Sequence, residues 1–232
     1  MKNILIVGAS KGIGLATAKL MKDSYNLYTI SRTSSVELDS LNSTHTVCNV
    51  VTDSLDSLQL PDELHGVVYC PGSINLKPFN RLTDEDYLND FQQNLIGAAR
   101  LLRVCLPALK RANGAGVVLY STVAAKVGMP FHASVSASKA AVEGFAKSIA
   151  AEWASSAIRV NVIAPSLTDT PLAAALLNTP DKKESAAKRH PLQRIGSAEE
   201  MASLTEFLLS DKSSFITGQV IVADGGMSAL KV

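Results

Sequence analysis

Near the start of the chain an apolar run of strand length, Ile4-Leu5-Ile6-Val7, passes directly into Gly8-Ala9-Ser10-Lys11-Gly12-Ile13-Gly14, and helical spacing runs from Gly12 to Met21. Few short segments restrict a fold as strongly. Glycines at these positions let the backbone turn tightly, approach a pyrophosphate closely, and pack the helix against the strand. The helix N-terminus then offers free N–H groups and a partial positive charge, which suit phosphate oxygens. A glycine triplet alone would serve any tight turn. Set between a first strand and a first helix, it points to a bound nucleotide.

The rest of the chain continues the alternation. Strand-length apolar runs recur at Leu27–Ile30, Thr46–Cys48, Val67–Cys70, Val117–Tyr120, Arg159–Ile163 and Val220–Val222. Between them, Leu88, Phe91, Leu95, Ala98, Leu102 and Leu106 recur at three- or four-residue steps, predicting one long helix over about Asp84–Arg111 with Pro107 bending it. Ser136–Ser155 predicts another helix, whereas Ser31–His45 is Ser/Thr-rich and short for a full crossover helix. Strands buried on both faces and separated by helices imply a parallel sheet with right-handed crossovers. The expectation is therefore α/β, a doubly wound parallel sheet of about seven strands in a single domain over residues 1–232. Residues 168–195, Ala-rich and broken by Pro171, Pro180 and Pro191, follow a strand's C-terminal end, where a substrate lid belongs. An ordinary surface helical excursion is the alternative for that segment.

Composition removes several function classes. With 22 basic and 21 acidic residues the net charge is +1, without the basic excess of a general nucleic-acid binder. Cys48, Cys70 and Cys105 are widely spaced and form no CxxC pair, which argues against a disulfide framework or a zinc module and suits a reducing cytosol. No apolar run approaches the roughly 20 residues that span a bilayer. Met1-Lys2-Asn3 leads straight into a strand with no signal-peptide pattern. We expect a soluble cytoplasmic protein with no metal site and no nucleic-acid or membrane partner.

Which nucleotide is held depends on the end of the second strand. A preference for NAD is usually marked there by an acid that holds the ribose hydroxyls. Here stand Ser31-Arg32-Thr33, with no acid before Glu37. Arg32 and Lys11 could neutralise a 2′-phosphate, with Ser31 or Thr33 donating to it, so NADP(H) is expected over NAD(H). As a solvated surface charge, Arg32 would carry no such preference.

Taken together, these residues resemble the short-chain dehydrogenase/reductase family along nearly the whole chain. The loop through Gly8, Ser10, Gly12, Ile13 and Gly14 matches its GxxxGxG pattern, with Val7 where a threonine is common. Asn49-Val50 is similar to the Asp-Val that meets adenine, and Cys70-Pro71-Gly72 stands where the family has Asn-Ala-Gly. Asn94 matches the helix asparagine of the family's proton relay. Pro165-Ser166-Leu167-Thr168-Asp169-Thr170 resembles the Pro-Gly segment beside the nicotinamide, with Ser166 for glycine. The ending Ile216-Thr217-Gly218 with Asp224-Gly225-Gly226 is typical of the family. The resemblance implies a Rossmann fold, assembly as a homodimer or homotetramer, and cofactor contacts from these matched residues, including Pro165, Thr168 and Thr170.

The catalytic segment departs from that pattern. The family has a tyrosine four residues before a lysine and a serine thirteen residues before the tyrosine. Lys139 matches the lysine, but Val135 stands in the tyrosine's place and Thr122 in the serine's. Thr122 keeps a hydroxyl that can bond a carbonyl oxygen. Val135 has no proton to give, and general acid–base help of that kind is worth roughly 10² to 10⁴ in rate. His132 is a candidate replacement, since an imidazole can serve as a general acid or base, with a solvent-facing loop histidine as its alternative reading. Lys139 itself, or a water held by Lys139 and Asn94, is another. Cys70 as a nucleophile is less well supported than as a buried structural thiol.

Three functions fit in descending order. The first is an NADP(H)-dependent oxidoreductase of a small carbonyl or alcohol, with Thr122, Lys139, Asn94 and His132 as catalytic candidates. The second is a catalytically lapsed NADP(H)-binding protein, acting as a sensor or assembly subunit. The third is an isomerase, dehydratase or lyase that uses the nucleotide structurally.

Overall fold

The computed structural model describes residues 1–56 and 58–231. Seven parallel strands form one sheet in the order β3-β2-β1-β4-β5-β6-β9: β1 Asn3–Val7, β2 Asn26–Ser31, β3 Ser43–Val47, β4 Gly66–Tyr69, β5 Ala115–Tyr120, β6 Ile158–Pro165 and β9 Val220–Ala223. Two-residue strands β7 Thr168–Asp169 and β8 Gly196–Ser197 pair separately. The expected seven-stranded doubly wound sheet is the observed one.

Strand alternation sorts the core into two layers. Leu5, Val67, Val117, Leu119 and Val160 face the layer containing α4 (Gly97–Arg111) and α5 (Ala133–Trp153). Ile4, Ile6, Val68, Val118 and Tyr120 face the layer of α1 (Gly12–Met21) and α7 (Ala198–Leu209). Leu101, Leu102 and Leu109 of α4 are at most 1% exposed. Burying each side chain contributes about 2 kcal/mol relative to leaving it in water.

The single helix expected over Asp84–Arg111 is instead three pieces. Helix α3 (Asp84–Phe91) is followed by a wider π turn, Gln92–Ile96, before α4 resumes. Packing supplies the reason. The Tyr69 hydroxyl donates to the Gln93 carbonyl at 2.8 Å, and a Cβ on Gly97 would overlap that hydroxyl. A side chain inserted at the ladder favours the widened turn. Pro107 lies inside α4. Between β2 and β3, which begins already at Ser43, the crossover carries only the four-residue helix α2 (Val36–Asp39), capped by the Ser35 side chain. Residues 168–195 hold a 3₁₀ segment, Pro171–Leu176, and helix α6, Pro180–Ala187. No helix among the described residues is long and apolar enough to cross a membrane.

The chain winds outward from β1 to β3, then returns to put β4 on β1's other side. This reversal opens a crevice at the C-terminal ends of β1 and β4, where ligands bind in such sheets. A Cβ on Gly8 would sit 3.3 Å from Pro71, so the loops after these strands touch at the crevice.

Candidate active site

The glycine loop keeps the conformations that its sequence predicts. Gly8 and Gly12 have φ of 82° and 57°, in the left-handed region that costs other residues strain. A side chain on Gly14 would overlap the Gly8 carbonyl. No side chain caps the start of α1, so its first-turn N–H groups are free to meet an anion. Ser10 and Ile13 lie on this loop half-buried, and Lys11 is exposed.

At the end of β2, Arg32 and Thr33 are exposed, whereas Ser31 is buried with its hydroxyl donated to the Thr33 carbonyl at 2.8 Å. Asn49 accepts from the Val51 N–H at 3.1 Å, and Val50 is buried beside it. Arg100, which the sequence analysis did not single out, pins this loop by donating to the Val50, Val51 and Asp53 carbonyls. These residues could hold a dinucleotide's adenosine end.

A cavity of about 670 Å³ opens beyond the C-terminal ends of β4, β5 and β6. Thr122, His132, Val135 and Lys139 line it, as do Cys70, Gly72, Pro165, Thr168 and Thr170. Thr170 also lies against the glycine loop, since a Cβ on Gly12 would be 3.5 Å from the Thr170 Cβ. From residues 168–195, Leu172 and Leu176 line the cavity; Leu177 instead packs in a small separate core with Ala173 and Ala186.

Lys139 and Val135 share one face of α5, one turn apart. The Lys139 Nζ donates to the Tyr120 carbonyl at 2.8 Å. A Cβ added to Gly72 would lie 3.4 Å from that Nζ and 3.5 Å from the Asn94 Oδ1, an atom fully buried without a protein partner. Lys139 and Asn94 thus converge on one small space beside the cavity, which fits a ribose hydroxyl or a water. Burial brings the Lys139 ammonium down to about 8, against the opposing pull of Cys70 and Asp90. Burial also pushes the Cys70 thiol up to about 12, so it is not a thiolate nucleophile near neutral pH.

Tyr120 comes close to Lys139 only through its main chain. Its hydroxyl is turned to α7, 2.6 Å from the Thr205 Oγ1 and 3.3 Å from the Met201 carbonyl. His132 precedes α5, half-buried, with Nδ1 donated to the Pro130 carbonyl at 2.7 Å; no hydrogen bond joins it to Lys139 or Asn94. Thr122 holds its own turn, accepting from the Ala124 N–H at 3.3 Å.

Two polar groupings escaped the sequence reading. Behind Val135, Asp90 is buried between Ser73 and Ser134. Across the cavity, the His190 Nδ1 donates to the Ala186 carbonyl, which leaves Nε2 to accept the Ser166 hydroxyl at 2.8 Å. Sequence offered one signal for the first. Asp90 and Asn94, and likewise Ser134 and Ser138, stand four residues apart, the spacing that shares a helix face.

Comparison with known proteins finds reductases and dehydrogenases that match along nearly the whole chain. A family model described as Enoyl-(Acyl carrier protein) reductase matches residues 8–228. The chain is 31% identical over 243 residues to a tropinone reductase homolog of Arabidopsis thaliana, covering 97% of this chain and 92% of the relative. It is 34% identical over 242 residues to the 3-oxoacyl-[acyl-carrier-protein] reductase FabG of Thermotoga maritima, covering 97% of both. Among solved structures, ligand-free aldohexose dehydrogenase of Thermoplasma acidophilum superposes with a TM-score of 0.87 at 27% identity, covering 99% of this chain and 95% of the other.

Proposed function

The chain belongs to the short-chain dehydrogenase/reductase family of nicotinamide-dependent oxidoreductases, and we propose that it interconverts a small carbonyl and its alcohol with NADP(H), using a proton donor other than tyrosine. The observation that carries this reading is that Thr122 and Lys139 line one cavity adjoining the glycine loop, with Asn94 meeting Lys139 in the small space beside it. When bound, the nicotinamide supplies or accepts the hydride. The chain's own residues do the rest. The loop from Gly8 to Gly14 and the start of α1 cradle the pyrophosphate. Arg32, Lys11 and Thr33 meet the 2′-phosphate. Asn49 and Val50 flank the adenine. Cys70, Pro71, Gly72, Pro165, Thr168 and Thr170 line the nicotinamide side, with Lys139 on its ribose. Thr122 holds the substrate oxygen, and residues 168–195 close over the substrate.

Val135 carries no proton, and the Tyr120 hydroxyl is committed to α7. The proton therefore passes through another group at the cavity wall. We further propose a cytoplasmic homodimer or homotetramer, from the family's habit.

Val135 also supports a second reading, a family member that binds NADP(H) without turnover. Titration with NADPH and NADH by fluorescence, followed by reduced-nicotinamide absorbance with ketones, aldehydes and diketones, separates the two. Tighter NADPH binding with substrate-dependent oxidation is the expected result. Binding without turnover across the panel favours the second reading, and failure to bind either nucleotide overturns both.

A further inference from the structure

Asp90 is 2% exposed, and among the described residues it forms no ion pair. A carboxylate in such a position is costly unless hydrogen bonds compensate it. Two serines do so: Ser73 donates to one oxygen at 2.5 Å and Ser134 to the other at 2.6 Å. The Asn94 side-chain amide donates to Ser73 at 3.3 Å and to Ser138 at 2.9 Å, and Ser138 donates to the Val135 carbonyl at 3.0 Å. The cluster therefore surrounds the turn of α5 that carries Val135. Cys70 and then Asp90 pull the Lys139 ammonium upward against the effect of burial.

Only one member of this group opens onto the cavity with its hydroxyl joined to the carboxylate. Ser73 lines the wall beside Val135 and Lys139, while Asp90 lies behind it. With its proton on Asp90 and one lone pair facing Asn94, the Ser73 oxygen keeps a second lone pair for a substrate hydroxyl. The arrangement is that of a general base acting through a hydroxyl.

We propose that Asp90 and Ser73 form the proton-transfer pair of this site, in place of the absent tyrosine; the proposal rests on the oxidoreductase reading above. In alcohol oxidation, the substrate O–H bond breaks as its proton passes to the Ser73 oxygen, and the Ser73 proton passes to Asp90. The substrate carbon loses a hydride to the oxidised nicotinamide, so C–O becomes C=O and the cofactor is reduced. Asp90, then a carboxylic acid, returns its proton to water through Ser73 after product leaves. Carbonyl reduction runs the same transfers backward.

The test uses the parent protein, Asp90→Asn and Ser73→Ala. Asp90→Asn keeps the shape and much of the hydrogen bonding, so fold and NADP(H) affinity should stay within about twofold of the parent. Turnover should fall roughly 10² to 10⁴ in both variants. The double variant should be no worse than either single one, as expected of groups acting as a unit. Parent-like turnover in either single variant overturns the proposal, as does a matching loss of cofactor affinity and thermal stability, which marks a structural role. A second readout needs no turnover. In the complex with NADP⁺ and trifluoroethanol, a probe alcohol that resists oxidation, infrared difference spectra should show a protonated-carboxyl stretch in the parent that Asp90→Asn abolishes. Its absence in the parent overturns the pair even if the protein turns over substrate. Its presence without turnover on any substrate sustains the pair and overturns the oxidoreductase reading instead.

Discussion

The glycine loop and the wall around Val135 lie at the same edge of the sheet but are built on different principles. The loop works through backbone: left-handed φ at Gly8 and Gly12, no room for a side chain at Gly14, and uncapped N–H groups at α1. The wall works through side chains gathered from the loop after β4, from the α3–α4 region and from α5. The loop's requirements are local, so they are readable in seven consecutive residues. The wall's requirements are met jointly, so one residue type can be exchanged if its neighbours change as well. At the wall Val135 stands one turn before Lys139, beside a buried aspartate and three serines.

Four experiments would break or sharpen this contrast. The largest effect should come from Gly14→Ala. Its Cβ would overlap the Gly8 carbonyl, so the loop must shift, at a cost of about 3 kcal/mol in stability. Thermal melting should show that loss, and NADPH titration should show no saturable binding; a variant with parent-like affinity would remove the backbone argument.

Val135→Tyr asks the opposite question, whether the wall accepts the family residue. With Asp90 and Ser73 already moving the proton, turnover in steady-state assays should stay near the parent's, whereas a rise of roughly 10² to 10⁴ would mark a disabled reductase pocket and remove that pair. An unchanged rate would mean that the surrounding cluster has rebuilt the site around valine.

The third experiment reads the cost of burying Lys139. The folded protein holds this group at about 8, below its ordinary 10.5. Between those values the unfolded chain binds the extra proton, so folding stability should rise as pH increases through this window. The gain is roughly 3 kcal/mol at most. Urea unfolding at several pH values should show it in the parent and not in Lys139→Met. A parent curve that matches the variant's would contradict the depressed value.

A smaller effect is expected at Arg32, which is exposed. Arg32→Ala should weaken NADPH binding about tenfold while leaving NADH within twofold, and the difference should shrink with added salt. Equal losses for both nucleotides would remove the 2′-phosphate assignment.

Much of the fold was legible in the chain. The strands at Ile4–Val7 and Val67–Tyr69 read as continuous apolar runs because both faces of a parallel strand are covered. The break in the long helix is not legible in the chain because it comes from elsewhere, from Tyr69 reaching the Gln93 carbonyl and from the space that Gly97 leaves for it. No periodicity of residues 84–111 contains that information. In the candidate site, Lys139, Thr122 and Asn94 could be found through the family resemblance. Asp90 could not be told from a solvated helix carboxylate, since its partners Ser73 and Ser134 lie 17 and 44 residues away.

By itself the sequence determined the class of sheet, the glycine loop and the absence of a tyrosine at position 135. These depend on local backbone geometry, strand burial and residue identity, which short segments carry directly. Tertiary structure alone decided that Tyr120 turns its hydroxyl to α7, that Ser166 meets His190, and that Asp90 stands behind Val135. Those outcomes depend on which side chains the crossovers bring together in a space from which water is largely excluded. There a single unpartnered polar group is costly and its partners must come from distant parts of the chain.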